Sequence, residues 1–220
     1  DKASIRTMIT SMVNPDAGVS AITRHFTKLD DVLNSHFTYD NTLVFGGSDT
    51  FEFEFLAPSS VVPGTQYLID SDSSSDRVYF GFKTDGLYLA NSSEIDSLNI
   101  DGVDVSLSAT PYPTDGKLYK AVLTLKAGAR IGILGSRYTL SQEYPGIMVN
   151  PKATISGVTT TNTLGLATEN SEPSAEGNNT ITYVNIPNSN RELYQLSVDE
   201  TQWDNISPSP QELPSVIEIA

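Results

Sequence analysis

Apolar and polar residues change rhythm along this chain. Near the N-terminus Ile5, Met8, Ile9, Met12 and Val13 recur at the spacing of one helix face, which Pro15 and Gly18 end. With Ser20 as N-cap, Ile22, Phe26, Leu29 and Leu33 follow a 4-3-4 spacing that predicts a second helix. These helices either pack on the following domain or form a self-association neck; the spacing alone allows both.

From about residue 43 the period becomes two. Phe51, Phe53 and Phe55 alternate with Glu52 and Glu54, so one face of this strand is wholly aromatic. Further strands are predicted at Tyr67–Ile69, Arg77–Phe82, Leu87–Leu89, Val103–Leu107, Leu118–Leu125, Ala129–Leu134 and Ile147–Ile155. Pro63-Gly64, Asp85-Gly86, Asp101-Gly102, Asp115-Gly116, Gly128 and Pro145-Gly146 supply the turns. Short strands with frequent turns predict a mainly β fold, an antiparallel sandwich. Residues 158–180, rich in Thr, Asn, Ser and Glu, read as a loop or linker. Strands follow at Thr180–Ile186 and Leu193–Val198, then a Ser-Pro spacer at 207–210 and an edge strand at Ser215–Ile219. The expected organisation is a helical segment over 1–42, a sandwich over 43–157, and a linker with a β-rich extension over 158–220.

Charge narrows the classes of function. The 220 residues carry 13 Lys+Arg against 27 Asp+Glu, a formal net charge of −14. Such a chain repels phosphate backbones, so nucleic acid is not an expected partner. No apolar run reaches the roughly 18–20 residues of a membrane span, so no insertion is expected. The absence of cysteine excludes disulfides, thiolate zinc sites and thiol nucleophiles. Asp1-Lys2-Ala3-Ser4 lacks the features of a signal peptide, and opening on Asp rather than Met points to a processed or trimmed product.

Three segments resemble the laminin-G-like, concanavalin-A-like jelly-roll modules. They are Ser48–Phe55; Asn99–Val105 with Pro113–Leu123; and Ile131-Gly132-Ile133-Leu134-Gly135-Ser136-Arg137-Tyr138 followed by Tyr144-Pro145-Gly146-Ile147. The chain departs from the family pattern at Leu118-Tyr119-Lys120, where Trp-His-His is usual. The last segment is similar to modules of phage tail-fibre and other virion appendage proteins. The resemblance covers about half of the chain. It implies a jelly roll and a non-catalytic structural or appendage role in a virion, as a fibre or decoration component with scope for glycan or host-surface adhesion. The implied partners are other virion proteins and the chain itself, as a trimer joined through the N-terminal helices. The rival expectation is a secreted, extracellular bacterial polysaccharide-active enzyme or its carbohydrate-binding module.

Candidate chemistry is sparse. Glu52 and Glu54 resemble the paired acids of sandwich-fold glycanases, but Phe55-Leu56-Ala57-Pro58 follows and brings no third acid. They are read as a solvated strand face. Asp70, Asp72 and Asp76 offer oxygen ligands for calcium, against a solvated loop; no tight calcium site is expected. Asp96, Asp101, Asp104 and Asp115 read as turn residues. Arg130 and Arg137 are isolated bases, read as salt-bridged or exposed rather than as substrate clamps. His25 and His36 lack any acid–nucleophile pattern. Trp203, the single tryptophan, is a candidate sugar-stacking platform or an anchor for the terminal segment. Sequons start at Asn91, Asn178 and Asn205. No catalytic residue and no resident cofactor is expected.

Overall fold

The computed structural model describes residues 22–30, 34–72, 76–88, 94–108, 111–164, 170–187, 190 and 193–197. In chain order the strands are β1 (Ile22–Lys28), β2 (His36–Val44), β3 (Asp49–Leu56), β4 (Gln66–Asp70) and β5 (Phe80–Lys83). There follow β6 (Gly86–Tyr88), β7 (Ile95–Ile100), β8 (Val103–Val105), β9 (Leu118–Leu125) and β10 (Arg130–Leu134). The last are β11 (Ile147–Ile155), β12 (Val158–Thr161), β13 (Ser171–Pro173), β14 (Thr180–Val184) and β15 (Leu193–Ser197).

These strands form two antiparallel sheets. One has the order β15-β1-β11-β3-β9-β7-β8, with β12 also on β11. The other has the order β13-β14-β2-β10-β4-β5-β6. The chain passes repeatedly from one sheet to the other, so each half of the sequence contributes to both.

The aromatic face of β3 explains why the sheets stack. Phe51, Phe53 and Phe55 are buried completely or nearly so. Phe53 lies 6.0 Å from Phe80, and Phe55 lies 6.0 Å from Phe80 and 5.7 Å from Phe82, all across the sandwich. On the opposite sheet, register aligns Tyr183, Phe37, Leu134, Ile69 and Phe80 in one row across five strands. Each side chain of that row is buried. Burying one such side chain stabilises the fold by about 1.5–3 kcal/mol, so this dry row contributes strongly to cohesion.

The predicted helix at Ser20–Leu33 is corrected: Ile22–Lys28 is a strand. Its first five residues pair with β15 and its last two with β11. Ile22, Thr23, Phe26 and Thr27 are β-branched or aromatic, and they favour a strand once partner strands are present. Leu29 is fully buried in its own chain's core and its N–H donates to the Gly146 carbonyl at 2.8 Å. The expected oligomer seam therefore does not exist at Leu29. Gly135 makes room for it: a Cβ there would stand 2.2 Å from Leu29 Cδ1, and its φ of +82° also favours glycine. The predicted helix over Ile5–Val13, Leu33 and the edge strand at Ser215–Ile219 lie outside the described residues.

The region read as a linker is corrected as well. Strands β12 and β13 lie within 158–180 and continue the two sheets. Likewise β2 starts before residue 43, and β14 pairs with it from beyond 157. The 43 and 157 boundaries thus do not coincide with edges of the sheets. What orders this polar stretch is the buried carboxylate of Glu172. It accepts from the Thr163 N–H at 2.7 Å, the Thr163 hydroxyl at 2.8 Å, the Leu164 N–H at 3.3 Å and the Tyr183 hydroxyl at 2.6 Å. A polar segment takes a fixed place when its hydrogen bonds are satisfied internally.

Candidate functional site

Strand β4 ends on Asp70, which is fully buried. Its carboxylate accepts Arg77 Nε at 3.0 Å and Nη2 at 2.6 Å, the Ser71 N–H at 2.7 Å and the Tyr138 N–H at 2.9 Å. Four donors occupy the directions a cation would need. Asp72 accepts the Thr42 hydroxyl at 2.6 Å and faces Arg130 Nη2 at 3.3 Å. The Thr42 hydrogen bond, with Arg130 added, holds the Asp72 carboxyl below the usual carboxylate range. Asp76 is exposed, has φ 51°, and uses its carbonyl to accept the Arg130 N–H. Asp70 thus serves Arg77, Ser71 and Tyr138, whereas Asp72 and Asp76 both engage Arg130. Among the described residues no three His, Cys, Asp or Glu side chains gather as a metal site.

Around Asp70 the loops build a layered stack that sequence reasoning missed. Arg77 lies 4.4 Å over the Tyr79 ring and 4.4 Å over the Tyr138 ring. Arg137 lies 5.6 Å from the Tyr138 centroid and 6.0 Å from that of Tyr67. Tyr67 and Tyr79 are 5.9 Å apart. The 135–144 loop is pinned at both ends: Gly135 N–H donates to Leu68, and Tyr144 N–H donates to Gly135. Within it the Arg137 N–H donates to Ser141, and the Gln142 carbonyl accepts the Tyr67 N–H. The only local signal was the tyrosine beside each arginine, Arg77-Val78-Tyr79 and Arg137-Tyr138.

The three arginines Arg77, Arg130 and Arg137 differ in what they do. Arg77 is neutralised by Asp70, and Arg130 by Asp72. Arg137 has no ion pair among the described residues. Its Nη1 donates to Gln142 Oε1 at 3.3 Å, while its Nε is buried without an acceptor.

On the outer face of the other sheet, Glu52 sits between Lys152 at 2.8 Å and Lys120 at 3.1 Å. Partial burial pushes this carboxyl up, but the hydrogen bonds and charges of both lysines outweigh it and hold it below its usual value. That is the opposite of what an acid catalyst needs. Glu54 is opposite Lys120 in the ladder.

His36 is 3% exposed, with Nδ1 2.9 Å from the Asn34 carbonyl. Burial lowers its affinity for a proton, more than the Asn34 carbonyl and the Glu143 charge raise it. Its pKa is thus lower folded than unfolded, where it is about 6.5. The associated stability is full above that value and is lost as pH falls from there through the lower folded pKa. We expect the melting temperature to decline below about pH 6.5, and less steeply in His36→Gln. Parallel melting curves from pH 8 to 5 check this; identical slopes would contradict it. His25 is in β1 opposite Tyr194, but its side chain, like Trp203, lies outside the described residues.

A cavity of about 240 Å³ lies between the 57–63 loop and Pro145-Gly146. Leu56, Ala57, Pro58, Val62 and Pro63 line it, with Ser59 and Gln66 as polar groups. The Tyr144 hydroxyl at its wall is already hydrogen-bonded to the Leu56 and Ile147 carbonyls. Among the described residues no charged side chain lines this cavity. Comparison with protein-family models, with curated proteins and with solved structures finds no match for this chain.

Proposed function

We propose that this chain is a non-catalytic sandwich module, a jelly roll of the concanavalin-A-like kind, serving as a structural or appendage component of a virion with an adhesive surface for glycans. The observation that carries the non-catalytic reading is Glu52, held low between Lys120 and Lys152. Glycoside hydrolysis needs one carboxyl kept protonated and a second placed across the scissile bond. Here the lysines stabilise the charged carboxylate instead. The repeated crossing between sheets supports a jelly roll. The virion setting rests on the resemblance of Ile131–Tyr138 and Tyr144–Ile147 to appendage modules.

The test is an assay for new reducing ends with the full chain on a panel of β-glucans and uronate polymers. No release is expected. Release that disappears in Glu54→Ala would overturn the reading in favour of a polysaccharide-active enzyme. An antibody against the chain, applied to intact particles of its source, is expected to decorate a surface projection.

A further inference from the structure

We propose that Arg137, held against Tyr138 and Tyr67 at the end of β10, is a binding site for the acidic group of a sugar. This rests on the adhesive reading above and names its ligand class. In a chain with 27 acidic side chains against 13 basic ones, a half-buried arginine without an ion pair among the described residues stands out. Arg77, in the same stack, shows the other outcome, a guanidinium spent on a buried carboxylate.

Arg137 is also organised in advance. Two aromatic rings at 5.6 and 6.0 Å hold its guanidinium, and the Gln142 amide fixes one end at 3.3 Å. Tyr138 is itself fixed by its N–H on Asp70, at 2.9 Å. The buried Nε has no acceptor among the described residues. Glu143, on the same loop, forms no ion pair with Arg137.

The chemistry of the ligand follows from these groups. A guanidinium presents parallel N–H bonds that match two oxygens of a carboxylate or sulfate. The Thr139 and Ser141 hydroxyls, 3.0 Å from each other on the same loop, both donate and accept, as sugar hydroxyls do. The net charge of −14 disfavours a polyanion, whose many charges would feel the whole field. A single acidic group on an otherwise neutral glycan meets only the local cation. Carboxylate and sulfate sugars share this chemistry.

The experiment titrates the full chain at low salt with sialyllactose, with lactose 3′-sulfate and with lactose, using ligand-observed NMR. Binding of one or both acidic sugars with no binding of lactose supports the site, and the stronger of the two identifies the acid. Arg137→Gln is expected to abolish that binding, and Arg137→Lys to weaken it by about tenfold, because a lysine keeps the charge but lacks the fork. Far-UV circular dichroism and a melting curve confirm that each variant is folded; Arg137→Lys, which retains a cation on the rings, serves if Arg137→Gln is not. Equal binding of lactose and the acidic sugars, or binding unchanged in either folded variant, overturns this site and leaves the adhesive reading standing. No binding of any sugar overturns both.

Discussion

Asp70→Ala is expected to lose about 3–5 kcal/mol of unfolding free energy, the usual result of removing one partner of a buried ion pair. The Asp70 side chain is fully buried and that of Arg77 is 13% exposed, so solvent replaces little of what is lost. Deletion leaves the Arg77 guanidinium between two tyrosine rings without its anion. It also leaves the Ser71 and Tyr138 N–H groups without their acceptor. Two loops, one after β4 and one after β10, converge on this carboxylate, so the effect reaches beyond one pair. Equilibrium denaturation in urea measures it. Arg77→Ala should be nearly as costly, and the double variant should cost much less than the sum of the two. A loss below about 1 kcal/mol for Asp70→Ala would show that the pair is dispensable.

The second large effect is expected at Phe55. Phe55→Ala should cost about 3–5 kcal/mol through lost apolar burial and the cavity left behind. Its ring lies 5.8 Å from Phe53, 6.0 Å from Phe80, 5.7 Å from Phe82 and 6.1 Å from Tyr119. No single neighbour can fill that space without leaving its own. For a domain with about 5–15 kcal/mol in total, the variant should melt far earlier, with a broadened near-ultraviolet spectrum. Phe55→Leu keeps most of the volume and should cost less than half as much. Equal losses for the two would mean that ring packing contributes nothing specific.

These effects lie at opposite ends of what could be read in advance. Phe55 belongs to a strand legible from the alternation of aromatic and acidic residues alone. Strands β9 and β11 were legible too, because period two and flanking turns are properties of neighbouring residues. Asp70 was visible only as a member of an acidic loop. Its counterion Arg77, seven residues on, read only as the start of the next strand. In the fold Arg77 turns back on the Asp70 carboxylate, and Tyr138, far along the chain, donates an N–H to it. Arg137 and Arg130 looked alike as isolated bases; the fold gave Arg130 a partner in Asp72 and set Arg137 against two rings and an amide.

Local pattern by itself determined the mainly β class and the aromatic inner face. It misled at Ile22–Leu29, because a 4-3-4 apolar spacing fits a helix when no other strand is in view. It misled again at 158–180, because a polar stretch reads as a linker unless its acceptors are known. Only the tertiary structure supplied β11 and β15 as partners for β1, and Glu172 as the acceptor for Thr163 and Leu164. The physical reason is common to both. Periodicity records which side of an element faces away from water, whereas pairing and hydrogen-bond satisfaction depend on groups brought together from distant parts of the chain.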